Sequence, residues 1–430
     1  MTEAASQNFK FLHAADIHLD SPMRGLSNYE NAPVEAMRGA TRAALSNLVD
    51  LAIAEACAFV LIAGDLFDGN QRDIGTAHFF ARQMARLGEN GINVYVVFGN
   101  HDAETPLKAM PWPENVKLLS NRRAESVSVP ELNVTIHGRS FARRDEDRNL
   151  AETYPIAVPD SFNIGILHTA LTGHAAHELY APCSLDDLKG KGYDYWALGH
   201  VHDFSQRHAD PPIIYAGNLQ GRSVRETGPK GAVLVNVEAG AVRVQPRILD
   251  AARWADVGID LTATASRDGL LGLVRQNLVN VADEADDRVA AVRLTLRGRT
   301  PLHAEISRHE RTLVEDIHVL ASGLGRDVWL EKIRFRTEAT LTSTEIAARA
   351  HPLAARIGTM KINQEMDALE VMGINPVRFL VAPALFAMIV MVPALTIFSG
   401  FIGLYAGGLY VGVDLSVSMD AYITQVADAL

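Results

Sequence analysis

The chain predicts an α/β layered fold, followed by a small α+β unit and a helical C-terminal segment. Three observations predict this. Short apolar runs alternate with amphipathic stretches over residues 9–240. A second run of strands and helices fills residues 241–345. From Phe379 to Val413 there are 35 residues without a charge. The whole chain has 430 residues, is 48% hydrophobic and 21% charged, and carries a net charge of −11. At roughly 150 residues per domain, that length holds about three domains. The composition excludes a disordered tail, a collagen-like repeat and a disulfide-stapled secreted module. Cys57 and Cys183 are too few and too far apart for a Cys-rich zinc site, and read as reduced thiols of a cytosolic protein. The acidic balance argues against a broad nucleic-acid-binding coat of charge but leaves room for a local basic groove.

The N-terminus lacks a basic stretch followed by an apolar one, so no secretory signal is expected. Phe9–Ala15 reads as a buried strand, Ala36–Ala58 as an amphipathic helix and Phe59–Ala63 as a second strand. Gly75–Asn90 follows as a helix and Ile92–Phe98 as a strand. Further strands are expected at Val134–His137, Phe162–Leu167, Tyr195–Leu198, Ile213–Ala216 and Ala232–Val237. The next unit reads as strand Trp254–Leu261, helix Arg267–Ala285, strand Val289–Leu296, helix Leu302–Ala321 and strand Val328–Arg336. The uncharged run is long enough for one bilayer-spanning helix and part of another, since about 20 apolar residues suffice. Gly400, Gly403, Gly407 and Gly408 fit either a turn or a close helix contact. Arg356, Lys361 and Arg378 precede the run and no Lys or Arg follows it, which puts the preceding side in the cytoplasm.

Five short motifs sit at the ends of expected strands. They are Asp16-Ile17-His18, Gly64-Asp65-Leu66-Phe67-Asp68, Gly99-Asn100-His101-Asp102, the lone His168, and Gly199-His200-Val201-His202. Open α/β sheets place their sites beyond the carboxyl ends of strands. In an extended segment residues i and i+2 point the same way, so Asp16 with His18, and His200 with His202, are expected to converge. Each piece alone has a plain structural reading: a helix cap for Asp65, a turn for Asn100, a core histidine for His168. Five of the chain's 15 histidines at strand ends is not a chance arrangement. Asp16, His18, Asp65, Asn100, His168, His200 and His202 offer seven oxygen and nitrogen donors, too many for one ion. One shared carboxylate bridging two divalent cations resolves the count. Ligation without thiolate suits manganese, iron or zinc. Two such ions activate a bridging hydroxide for in-line attack at phosphorus. His101 is left over as general acid for the leaving oxygen, with Asp102 expected to orient it.

These motifs, in this order, resemble those of the calcineurin-like metallophosphoesterases. The opening FKFLHAADIHLDSPMRGL narrows the resemblance to DNA repair exonucleases of the SbcD and YhaO type. The resemblance implies a layered metallophosphoesterase sandwich with a capping-like accessory domain. It implies that Asp16, His18, Asp65 and His202 hold one metal, and Asp65, Asn100, His168 and His200 the other. It further implies Mn2+ as the working ion, DNA as substrate, an SbcC-like ATPase as partner, and a homodimer. A phosphatase or small-molecule phosphodiesterase of the same fold remains the alternative.

Asn218 and Arg222, in YAGNLQGRSVRE, are open to a phosphate contact or a plain surface loop. Arg143, Arg144 and Arg148 sit beside Asp145, Glu146 and Asp147 and read as a solvated mixed-charge loop. Trp112 reads as a packing residue rather than a base-stacking one. The stretch IGTMKINQEMDALEVMGINPVRFLVAP resembles the permeases of MlaE-type lipid-transport ABC systems from about Ala354 onward. Residues 351–430 then form a permease fragment with hydrophobic segment 379–413, membrane-associated and without a complete transport path. Two families meeting near Ala348–His351 with no Pro-, Gly- or Ser-rich linker leave open a genuine fusion or an accidental joining.

Overall fold

The computed structural model describes residues 8–21, 34–68, 73–106, 111–171, 180–340, 382–414 and 419–429. They fall into two units that divide after Thr340. The expected junction at Ala348–His351, the residue Ala354 and the cations Arg356, Lys361 and Arg378 lie outside the described residues.

In chain order the first unit runs β1 (Asn8–Ala14), α1 (Val34–Ala54), β2 (Phe59–Ala63), α2 (Ile74–Glu89), β3 (Asn93–Val97), β4 (Val116–Leu118), β5 (Glu125–Val129) and β6 (Val134–Gly138). It continues β7 (Phe162–His168), α3 (Leu185–Lys189), β8 (Tyr195–Gly199), β9 (Ser205–Ala209), β10 (Pro212–Tyr215), β11 (Gly231–Glu238) and β12 (Ala241–Ile248). It closes with β13 (Ala252–Asp260), α4 (Arg267–Ala285), β14 (Val289–Arg299), α5 (His303–Arg308), α6 (Glu310–Ser322) and β15 (Val328–Glu338).

Two six-stranded sheets, ordered β12-β11-β1-β2-β3-β4 and β5-β6-β7-β8-β10-β9, face each other. Apart from the partly exposed Lys10, the runs FKFLHA and FVLIA are buried on both sides, as strands covered on two faces must be. One set of side chains, including Phe11, Phe59, Val97, Ile164, Tyr195 and Val235, fills the space between the sheets. The rings of Phe11 and Phe59 stack at 5.0 Å, and Tyr195 meets Phe11 edge-on at 5.3 Å. The opposite face of the first sheet is covered by α1 and α2, through Leu45, Leu48, Phe80 and Met84. The outer face of the second is covered through Leu150, Tyr154, Leu188 and Tyr193. The result is a layered α/β sandwich.

The strands that sequence reading left out are edge strands. β4, β5 and β9 expose alternate or most residues and so lack an apolar run. β12 is also one of them, and it corrects the expected boundary at residue 241. AVRVQPRI pairs along its full length with β11 and belongs to the first sheet. The expected helix Leu302–Ala321 is two helices, α5 and α6, interrupted at His309.

Strands β13, β14 and β15 form a separate parallel sheet. Helices α4 and α6 cover one face of it, with Leu270, Val274 and Ile317 against Val292, Leu294 and Leu296. Its near end is seated on the sandwich, where Trp254 and Trp329 pack with Met37 and Ala40 of α1 and with Val224.

The second unit contains α7 (Ala382–Asp414) and α8 (Met419–Ala429). Helix α7 runs unbroken for 33 residues through Pro393 and all four glycines, so the expected turn among them is absent. At 1.5 Å per residue that is about 50 Å. Gly407 gives the close-contact reading some support, because the Tyr422 hydroxyl of α8 occupies the place a Cβ would need.

Phe11→Ala should destabilise the first unit by about 3–5 kcal/mol, the usual cost of emptying an aromatic site from a packed core. A denaturant midpoint equal to that of the unaltered chain would contradict this packing.

Candidate metal centre

The five motifs meet at one edge of the sandwich. Strands β1, β2 and β3 run parallel, as do β6, β7 and β8, so each set delivers its following loops to a common edge. His168 is the last residue of β7, and Gly199 the last of β8. Main-chain bonds stitch the first two loops together: Asp16 N to Gly64 O at 3.0 Å, His18 N to Asp65 O at 2.9 Å and Leu19 N to Leu66 O at 2.9 Å. The loops approach so closely that side chains are excluded at their glycines. A Cβ on Gly199 would lie 1.9 Å from Ala63 O, and one on Gly99 would lie 2.3 Å from Asp65 Oδ1.

The convergence does not arise as expected. Asp16 and His18 do not continue an extended strand; both are left-handed, with φ of 48° and 44°. Asp65 (51°) and His200 (103°) also have positive φ. Such backbone costs on the order of 1–3 kcal/mol per residue and persists only where the surroundings enforce it. The turn, rather than the strand period, aims these side chains.

Among the described residues, three groups of potential ligand atoms each lie within 4.8 Å of one another: Asp16 with His18 and His202, Asp16 with Asp65 and His168, and His18 with Asp68 and His101. Asp65 Oδ2 stands 3.8 Å from His18 Nε2 and 3.5 Å from His168 Nε2. Asn100 Oδ1 contacts His168 Nε2 at 3.0 Å. His202 Nε2 lies 3.7 Å from Asp16 Oδ1. His200 contributes differently from its neighbours: its N–H bonds Asp16 Oδ2 at 2.9 Å, and its ring meets His168 edge-on at 5.3 Å.

The donor set suits a cation. Asp16 and Asp65 are both almost fully buried. Burial pushes the Asp65 carboxyl up, but His168, His18 and His101 outweigh it and hold it at about 2. Burial pushes His18 down, toward its neutral, ligating form. Its Nε2 is buried and has no hydrogen-bond partner, a costly state unless an electron-pair acceptor stands there. Divalent cations on these oxygens and nitrogens satisfy both needs.

The expectation that Asp102 orients His101 is corrected. The Asp102 carboxylate is fully buried and accepts the backbone N–H groups of Leu66 (3.0 Å), Phe67 (2.7 Å) and Gly99 (3.1 Å). It clips the GDLFD loop to the GNHD loop. Asp68 holds the place expected for Asp102, with Oδ1 3.0 Å from His101 Nδ1 and 2.9 Å from His18 Nδ1. The hydrogen bond that its Nδ1–H donates to Asp68 pushes His101 up from its ordinary value. At the other side Glu226 Oε1 lies 2.8 Å from His202 Nδ1. Sequence reasoning assigned neither carboxylate a role. The signal for Asp68 was the second acid of GDLFD; for Glu226 the loop YAGNLQGRSVRE alone offers none.

Asn218 is buried, with Nδ2 on Gln220 O and Glu226 Oε2, each at 3.0 Å. Arg222 pairs with Glu226 at 3.0 Å. Arg143 pairs with Asp145 and Asp147 at the surface, but the Glu146 carboxylate that Arg148 holds is buried, so the loop is only partly the solvated one expected. Trp112 packs on Phe67, Phe80 and Phe98.

Asp102→Ala should lower stability by about 3 kcal/mol or more without any metal present, because three buried N–H groups lose their acceptor. Thermal unfolding in a chelator checks this, and an unchanged midpoint would sink the clip.

Residues 9–204 match the family model for calcineurin-like phosphoesterases, and residues 254–338 that for the middle domain of metallophosphoesterase YhaO. Residues 337–430 match the model for permease MlaE. The two latter matches meet where β15 ends, earlier than the expected junction. An uncharacterized metallophosphoesterase YhaO of Bacillus subtilis (strain 168) is 36% identical over 299 residues, covering 68% of this chain and 72% of that protein. The DNA double-strand break repair protein Mre11 of Sulfurisphaera tokodaii is 26% identical over 257 residues, covering 56% of this chain and 63% of that protein. A probable ABC transporter permease of Synechocystis is 41% identical over 76 residues, covering 17% of this chain and 28% of that protein. The chain belongs to the calcineurin-like metallophosphoesterases, metal-dependent hydrolases, and carries an MlaE-like carboxyl end.

Proposed function

We propose that this protein is a binuclear-metal phosphodiesterase acting on DNA ends, with Mn2+ as the working ion. The observation that carries the reading is the Asp68–His101 pair beside the buried donors. Asp68 takes the Nδ1 side of His101 at 3.0 Å, which leaves Nε2 for substrate. The His101 side chain is 34% exposed, whereas those of His18 and His168 are buried. An imidazole so held can pass a proton from Nε2 to a leaving oxygen. Asp16, His18, Asp65 and His202 would hold one ion; Asp65, Asn100, His168 and His200 the other. Two divalent ions there supply Lewis acidity toward a phosphodiester and acidify water. DNA as substrate is supported by the likeness to the repair protein Mre11.

The assay is hydrolysis of linear duplex DNA and of bis(p-nitrophenyl) phosphate with Mn2+, against mononucleotides and p-nitrophenyl phosphate. His101→Ala should cost about 10²–10⁴-fold in rate. Asp65→Asn and chelation should abolish activity. Full activity in His101→Ala would overturn the proton role, and preference for monoesters would favour a phosphatase of the same fold.

Helix α7 anchors the chain in a membrane. Its segment Leu385–Gly407 has 23 residues, and about 20 apolar ones are enough to cross the hydrocarbon core. Large apolar side chains such as Phe386, Ile389, Ile397 and Phe398 are exposed along it. The full chain should stay in the membrane pellet after alkaline carbonate extraction; recovery in the supernatant would refute the anchor.

A further inference from the structure

We propose that Arg222 grips a non-bridging oxygen of the substrate phosphate, a role that rests on the phosphoesterase reading above. The residue is fixed at the rim of the metal centre. Its backbone N–H bonds Glu226 Oε2 at 2.7 Å, and the preceding Gly221 carbonyl accepts Trp254 Nε1 at 3.0 Å. The guanidinium presents two different edges. One edge is committed to Glu226, with Nη2 3.0 Å from Oε1 and Nε 3.5 Å from Oε2. The other carries Nη1, which stands 3.5 Å from Ser21 Oγ and 3.9 Å from Asp68 Oδ1. Those contacts are at or beyond the limit of a hydrogen bond, so its N–H groups are poorly satisfied. This edge faces Asp68, the carboxylate that also holds His101 and His18.

Arg222 is 20% exposed on its side chain, so the site is reachable while the group stays oriented. A planar guanidinium whose position is set by a carboxylate matches the geometry of a phosphate oxygen, and it loses little freedom on binding. A purely structural role, as counter-ion to Glu226, predicts something else. Glu226 also holds His202, so losing that role would loosen the metal rather than the phosphate.

The test uses the full chain loaded with Mn2+ and reads three quantities. They are inorganic phosphate binding by calorimetry, bound manganese by elemental analysis, and KM with kcat for bis(p-nitrophenyl) phosphate. Arg222→Gln should weaken phosphate binding by about tenfold or more, the worth of one charged hydrogen bond. KM should rise in step, with manganese content equal to that of the unaltered protein. Arg222→Lys keeps the charge against Glu226 and protects folding, yet gives up the second nitrogen; phosphate binding should fall there too. Glu226→Gln should instead reduce manganese retention. Unchanged phosphate affinity in both Arg222 variants would overturn the proposal, as would manganese loss in them matching that of Glu226→Gln. Arg222-dependent phosphate binding in a chain that hydrolyses no ester would leave this inference standing and remove the phosphodiesterase reading.

Discussion

Two carboxylates, Asp16 and Asp65, are sunk almost completely into one edge of a β-sandwich, and burying charge is expensive unless it is compensated. No lysine is in contact with either of them among the described ion pairs; their charged neighbours there are histidines. An imidazole that gives its ring nitrogen to a cation carries no charge of its own, so in a loaded site divalent cations would balance the two carboxylates. The surrounding structure follows from that demand. Left-handed backbone at four expected ligands, and glycines packed against carbonyl and carboxylate oxygens, are conformations a chain adopts only when something recovers their cost.

What holds this strained edge together is a second ring of acids. Asp102 collects three backbone N–H groups and ties two loops into one body. Burial and the nearby Asp65 push its carboxyl up, against the pull of those bonds. Asp68 and Glu226 each take the far nitrogen of an imidazole, which fixes the ring and settles which nitrogen faces the centre. The accessory sheet joins the same scheme through Trp254, whose indole bonds the Gly221 carbonyl in the loop that bears Arg222 and Glu226.

Much of this was legible in the sequence because burial leaves a pattern. Strands covered on both faces are apolar runs, and motifs rich in Gly, Asp and His after them mark loop edges. The edge strands β4, β5, β9 and β12 left no such pattern, since water covers one side of each. Histidines show the limit within one segment. His13 and His18 are both buried, but His13 has Tyr195 Oη at 3.0 Å and Leu198 O at 3.1 Å on its two nitrogens. His18 Nε2 has no such partner. Nothing local separates a satisfied core histidine from a ligand; the difference is made by residues more than 180 positions away.

The sequence by itself determined the α/β layering, the five motifs, the donor chemistry and the long uncharged run. Each of these depends on residue type and short-range spacing, which a linear chain carries openly. Only the tertiary structure decided that Asp68, not Asp102, stands at His101, that Glu226 stands at His202, and that Arg222 turns one edge toward Asp68. It also decided that turns, rather than the strand period, aim Asp16 and His18. Those outcomes depend on which loops meet at the sandwich edge, and on distances of about 3 Å between atoms that are remote along the chain.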